Sequence, residues 1–141
     1  MDARDRLNAE AAKRILITDG AFGTEIQNWK LSEADYRGRL DLGHDQKGNN
    51  DILAITKPEV PEAIHRAHLA AGADIADTNT FSANRTSQAA HGAAHPLREI
   101  IGESARMARR VPHEVQAQDV RPPPLARALR PTPPPLSLPL S

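Results

Sequence analysis

Apolar and polar positions change their period several times along the chain, and each change marks an element. The charged opening, MDARDRLNAEAAKR, reads as a short helix over residues 1–13. The run Ile15-Leu16-Ile17 then stops at a turn signal, the pattern of a buried strand ending at Thr18. Residues 20–55 are polar and carry Gly38, Gly43 and Gly48, so they read as a long functional loop. The segment TKPE at Thr56–Glu59 has the spacing of a capping box, which predicts a helix starting near Thr56. Val60, Ala63, Ile64, Ala67 and Ala71 supply its apolar face, and Gly72 its stop. DIADTNTF, Asp74 to Phe81, predicts a second strand. A second helix follows over about Pro96 to Arg110, with Leu97, Ile100, Ile101, Ala105 and Ala108 inward and Pro112 as its end.

The order strand, loop, helix, strand, helix predicts an α/β fold with a parallel sheet. Residues 121–141 break from it: eight of the chain's 12 prolines lie there. That composition favours polyproline II or disorder, and proline cannot donate to a sheet ladder. The division expected is an ordered region, 1–112, and a poorly ordered proline-rich tail, 113–141.

Composition narrows the classes. The 141 residues suit about one domain. Lys plus Arg equals Asp plus Glu at 18 each, which gives no support for a nucleic-acid partner or an anionic membrane. No cysteine is present, so the chain has no disulfide, no thiol nucleophile and no thiolate metal ligand of its own. Apolar runs of a few residues are too short to span a bilayer, and the charged start is unlike a secretory signal. A cytoplasmic protein is expected. Aromatic residues at 3% and a mean hydropathy of -0.54 leave little material for a core.

Ligands of parallel α/β proteins gather at the carboxyl ends of the strands. Two polar clusters fall there: Asp19-Gly20 after the first strand, and Thr78-Asn79-Thr80 at the end of the second. A carboxylate beside hydroxyls and an amide suits a zwitterionic small molecule, with Asp19 on an ammonium and Thr and Asn on a carboxylate. Gly20 and Gly23 would allow close approach and unusual φ angles. An Asp-Gly pair after a strand equally marks an ordinary turn, and a threonine run is common in strands. The pairs His65/His68 and His91/His95 have metal-compatible spacings, yet neither has the HExxH form, and solvated histidines are expected. Glu33, Asp35, Asp74 and Asp77 read as solvated charges.

Three stretches carry a specific likeness: ILITDGAFGTEIQ, LSEADYRGRL and KGNNDILAITKPEVPEAIHRAHLAAGADIADTNTFSAN. From about Arg14 to Asn84, and more loosely to Arg110, the chain resembles the start of the homocysteine-binding domain of cobalamin-dependent methionine synthases, within the homocysteine S-methyltransferase family. DGAxGT and TNTF are general to that family, whereas EADYRG and KGNNDILAIT resemble the cobalamin-dependent branch. The resemblance implies a (β/α)8 barrel and methyl transfer from methylcobalamin, recharged by methyltetrahydrofolate, to homocysteine. It implies that Asp19 and Gly20 hold the homocysteine amino end, with Thr78, Asn79, Thr80 and Phe81 lining the same pocket. It also implies a zinc ion that turns a thiol of pKa about 8.5 into a thiolate.

The chain departs from that pattern. The family's zinc sits on three cysteines of later strands, and this chain has no cysteine. A barrel takes about 250 residues, so 141 give a truncated (β/α)8 barrel of two βα units and part of a third. LARALRPTPPPLSLPLS resembles the family's third strand and loop, with Arg127 and Arg130 where glycine stands. Expected, then, is a fragment that is inactive alone and binds neither zinc nor cobalamin. Two alternatives stand beside it: a non-catalytic remnant that still binds homocysteine, and an interaction protein whose proline tail, around Arg130–Pro134, docks on a proline-motif reader.

Overall fold

The computed structural model describes residues 2–118 and 126–128. Its elements are α1 (Ala3–Ala11), α2 (Phe22–Asn28), α3 (Glu33–Arg37), a 3-10 turn (Asn50–Ile52), α4 (Leu53–Thr56), α5 (Glu59–Ala70), β1 (Ile75–Asp77), α6 (Arg85–Ala90), α7 (Leu97–Gln118) and β2 (Ala126–Ala128). β1 and β2 pair in parallel, Ile75 opposite Ala126 and Asp77 opposite Ala128. The α/β class and the parallel pairing hold. The described residues are largely helical, and their strands form an open sheet.

The first predicted strand is reduced to one parallel bridge, Thr18 to Ile75. Ile17 O accepts the N–H groups of Asp74 and Ile75, and Asp19 N–H donates to Ile75 O at 2.8 Å. Pairing on one side holds the segment in line, but no described residue covers its outer side. Ile15 and Ile17 are therefore 88% and 60% exposed, not buried. Arg14 clamps Asp74 with two hydrogen bonds of 2.7 and 2.9 Å, and Asp74 also accepts the Ile17 N–H. Asp74 is thus the link between the two segments, and these bonds hold its carboxyl below the usual range.

The region taken for a long loop contains α2, α3, the 3-10 turn and α4. Local chemistry explains this. Ser32 and Asp35 form a reciprocal capping box that starts α3, and Glu33 accepts the N–H groups of Gln46 and Lys47. Neither acid is merely solvated.

Thr56 does not cap α5. It ends α4, its hydroxyl donates to Ile52 O, and α5 starts after Pro58, whose φ of -62° already suits a helix. The buried face of α5 is also rotated from the predicted one: Val60, Pro61, Ile64, His65 and Leu69 are inside, while Ala67 and Ala71 are exposed. Leu69 covers more apolar area than the alanines, so it decides which face turns in. α7 does not stop at Pro112 but continues to Gln118, with Pro112 on its buried face. The boundary drawn at 112 lies inside this helix.

The core is built by Ile26, Leu31, Tyr36, Ile52, Leu53, Val60, Ile64 and Ile100, with a second cluster of Leu69, Met107 and Val111 where α5 meets α7. On the outer side of that seam Arg110 and Arg66 bind Glu62 and Glu114, and Arg110 first, then Arg66, pulls Glu62 down to about 2.

Of the predicted tail, 113–118 is helical and 126–128 is strand, so Arg127 pairs opposite Ala76 in the sheet rather than spoiling it. The polyproline expectation and the proline motif around Arg130–Pro134 fall outside the described residues. Among the described residues no helix is long and apolar enough to cross a membrane.

Candidate functional site

A cavity of about 560 Å³ opens where the first segment, the 3-10 turn and the end of β1 converge. Its wall comprises residues 18–24, 48–51 and 77–82, with Ser87 and His91. All six residues singled out in the sequence, Asp19, Gly20, Thr78, Asn79, Thr80 and Phe81, lie in it. The volume is that of a small-molecule site.

Asp19 is its best-anchored wall residue. The side chain is fully buried; Oδ2 lies 2.8 Å from His65 Nδ1, and Oδ1 accepts the Asp77 N–H at 2.6 Å. Phe22 packs its ring edge against His65, centroids 4.9 Å apart at 74°. Asp19 therefore ties the first segment to β1 and to α5 at once. His65 was expected to be solvated, yet it is 1% exposed. Its place was readable from helical phase: Pro61, His65 and Leu69 are four apart on one face.

The chain reverses after Gly20 through Ala21, at φ 52° and ψ 32°. The left-handed turn falls on alanine, not on either glycine: Gly23 is inside α2, and a Cβ added at Gly20 would meet nothing within 4 Å. A left-handed alanine costs about 1–2 kcal/mol, a strain typical of a cavity wall.

β1 ends at Asp77, so residues 78–81 form a turn instead of continuing the strand. The turn points small polar groups at the cavity. Thr78 and Thr80 share one hydroxyl–hydroxyl bond of 2.7 Å, which leaves one of the two O–H groups able to donate elsewhere. Asn79 is held from below, donating to Asn50 O at 3.0 Å while Ser104 donates to its carbonyl. Phe81 stands at the rim, 71% exposed.

Across the cavity, Asp51 is 2% exposed, and its Oδ2 accepts the Ser82 N–H at 2.7 Å. Burial pushes its carboxyl up to about 6. Sequence reading passed over it; a lone acid between amides and the apolar Ile52-Leu53 was the available signal. Behind it lies a buried amide cluster. Asn49 and Gln88 exchange bonds of 2.9 Å, Asn49 also donates to Gln46, and Gln46 donates to His91 O. These satisfied amides fix the loop before Asp51 against α6.

α6 itself starts at Asn84, whose side chain accepts the Ser87 N–H at 2.8 Å. Asn84→Ala is expected to cost about 1 kcal/mol, the usual value of a lost N-cap, read as a lowered urea midpoint at unchanged slope.

A model of the homocysteine S-methyltransferase family matches residues 16–135. The chain belongs to this family. In three dimensions it is similar to the crystal structure of the homocysteine methyltransferase MmuM from Escherichia coli in its metallated form, with a TM-score of 0.66 and 23% identity. That likeness extends over 88% of this chain and 40% of the enzyme's length, and at this identity it speaks for the fold.

A family zinc does not fit the side chains present. The chain has no cysteine, and among the described residues no group of three or more His, Cys, Asp or Glu converges. His65 is committed to Asp19, His68 Nδ1 to Ile64 O, and His91 faces Asp45 O at 3.4 Å.

Proposed function

We propose that this chain is the homocysteine-binding part of a homocysteine S-methyltransferase, its two strand ends forming the first quarter of a (β/α)8 barrel. The observation that carries the reading is the convergence of Asp19, Gly20 and residues 78–81 on one small cavity, in a chain of this family. Homocysteine enters with its carboxylate toward the Thr78–Thr80 hydroxyl pair and the Asn79 turn. Asp19 serves the site by holding the three segments of the wall in register. EADYRG and KGNNDILAIT favour the branch that makes methionine with methylcobalamin, itself recharged by methyltetrahydrofolate, as the donor. The residues described here orient the acceptor; they supply no metal site.

Isothermal titration with L-homocysteine tests the reading. The expected result is saturable one-to-one binding, weakened about tenfold in Thr78→Val, which removes one hydroxyl and keeps the shape. Absence of saturable heat, or equal binding of L-aspartate, refutes it.

A further inference from the structure

We propose that Gln88 of α6, which stands behind the cavity rather than in it, is the positioning residue that fixes the spacing of its two polar walls and so sets the affinity for the ligand's carboxylate. The inference rests on the homocysteine reading above and names the residue that holds the Thr78–Thr80 hydroxyls in place.

The two walls come from distant parts of the chain, residues 48–51 and 77–82. Gln88 is 0% exposed and is not itself a lining residue. Its side chain nevertheless reaches both walls. Nε2 donates to Asn49 Oδ1 at 2.9 Å in the first and to Ser82 O at 3.1 Å in the second. Oε1 accepts the Asn49 Nδ2–H at 2.9 Å. Both donors and the carbonyl of one primary amide are thus spent on joining the two segments.

Each end of this link is held further. Asn49 also donates to Gln46 at 3.1 Å. The Ser82 N–H donates to Asp51 Oδ2 at 2.7 Å, and the Ser82 carbonyl accepts the Asn84 N–H as well. Ser82 is pinned through both its N–H and its carbonyl, and it closes the turn that carries Thr78 and Thr80.

A buried amide is costly to desolvate, and an apolar side chain of the same length would fill the space without that cost. What the amide adds is direction: a fully satisfied buried network admits one arrangement of the segments it joins. The Thr78–Thr80 pair donates to a carboxylate only from the place and angle the turn gives it. A turn free to slide from the 48–51 wall keeps its hydroxyls and loses that angle. Affinity then falls although no group that touches the ligand has changed.

The test is titration calorimetry with L-homocysteine on wild type, Gln88→Met, Gln46→Met, Thr78→Val and the double variant Gln88→Met/Thr78→Val, each shown to be folded by its urea transition. Gln46→Met is the control, because it removes a buried amide of the same cluster that makes no bond to Ser82. Gln88→Met is expected to bind about tenfold more weakly than wild type, and Gln46→Met within about twofold of it. The double variant is expected to be about ten- to twentyfold weaker, short of the hundredfold of two independent losses, since a missing hydroxyl cannot be misplaced. A second measurement needs no variant to fold. In the 15N-labelled wild type, saturating L-homocysteine is expected to shift the Gln88 Nε2–H resonances together with the Thr78 amide, while those of the exposed Gln118 stay in place.

Gln88→Met binding as tightly as wild type overturns the proposal and leaves the homocysteine reading standing. So do a hundredfold loss in the double variant, an equal loss in Gln46→Met, or a Thr78 shift without one at Gln88. Absence of saturable binding by wild type refutes the homocysteine reading, and the Gln88 assignment with it.

Discussion

Asp19→Ala is expected to lower the stability of the fold by about 3–5 kcal/mol, the range found when one partner of a buried pair is removed. The magnitude follows from what is left behind. The Asp77 N–H loses its acceptor at the end of β1, and His65 Nδ1 loses its hydrogen-bond partner in a site 1% exposed. Each buried polar group left without its partner costs about 1–3 kcal/mol, and the His65 side chain is only 1% exposed. Against a total of roughly 5–15 kcal/mol for a domain, this is a large fraction. Asp19→Asn keeps one acceptor oxygen and is expected to fall between wild type and alanine. His65→Ala removes the same bond from the other side, so the double variant is expected to be less damaged than the sum, by about 1–3 kcal/mol of coupling. Urea unfolding of wild type and the four variants reads all of this from the midpoints. An Asp19→Ala chain as stable as wild type, or strict additivity with His65→Ala, would show that the pair does not join the segments.

How far the sequence discloses such a device depends on its range. Strand ends and the polar clusters on them are local, and Asp19, Gly20 and residues 78–81 were legible for that reason. The helix phase of α5 was not, because alanines at 63, 67 and 71 mimic an apolar face that Leu69 actually sets. His65 and Asp19 are 46 residues apart, so nothing near either announces the other. The exposed Ile15 and Ile17 show the opposite failure. Their composition reads as a buried strand, but burial is a property of what packs on them, and no described residue does. Pro112 misled because its ring breaks a helix only when the lost hydrogen bond outweighs the packing; here the ring is buried on the inner face of α7.

The same limit hid Asp51, and its energetics give the second large effect. Burial raises its carboxyl from 3.8 to about 6. The folded chain therefore holds a proton that the unfolded chain has already released between those values. For a raised acid the sign is fixed: its favourable contribution is complete below about pH 4 and is lost as pH rises through about 6. A shift of about two units amounts to about 3 kcal/mol at neutral pH. Glu62, pulled down to about 2, acts the other way, losing stability as pH falls toward that value. The two opposing slopes overlap in the raw curve of wild type. Asp51→Asn separates them, since it removes the ionising group and keeps an oxygen for the Ser82 N–H. The variant is expected to be more stable than wild type by about 1–3 kcal/mol at neutral pH, with the gap closing near pH 4. Urea midpoints at the two pH values measure it. A variant weaker than wild type at neutral pH, or a gap that does not change with pH, would mean the carboxylate is compensated in the folded chain. A residue whose removal strengthens the fold is one the fold does not need. Its place in the cavity wall then has to be explained by what the cavity holds.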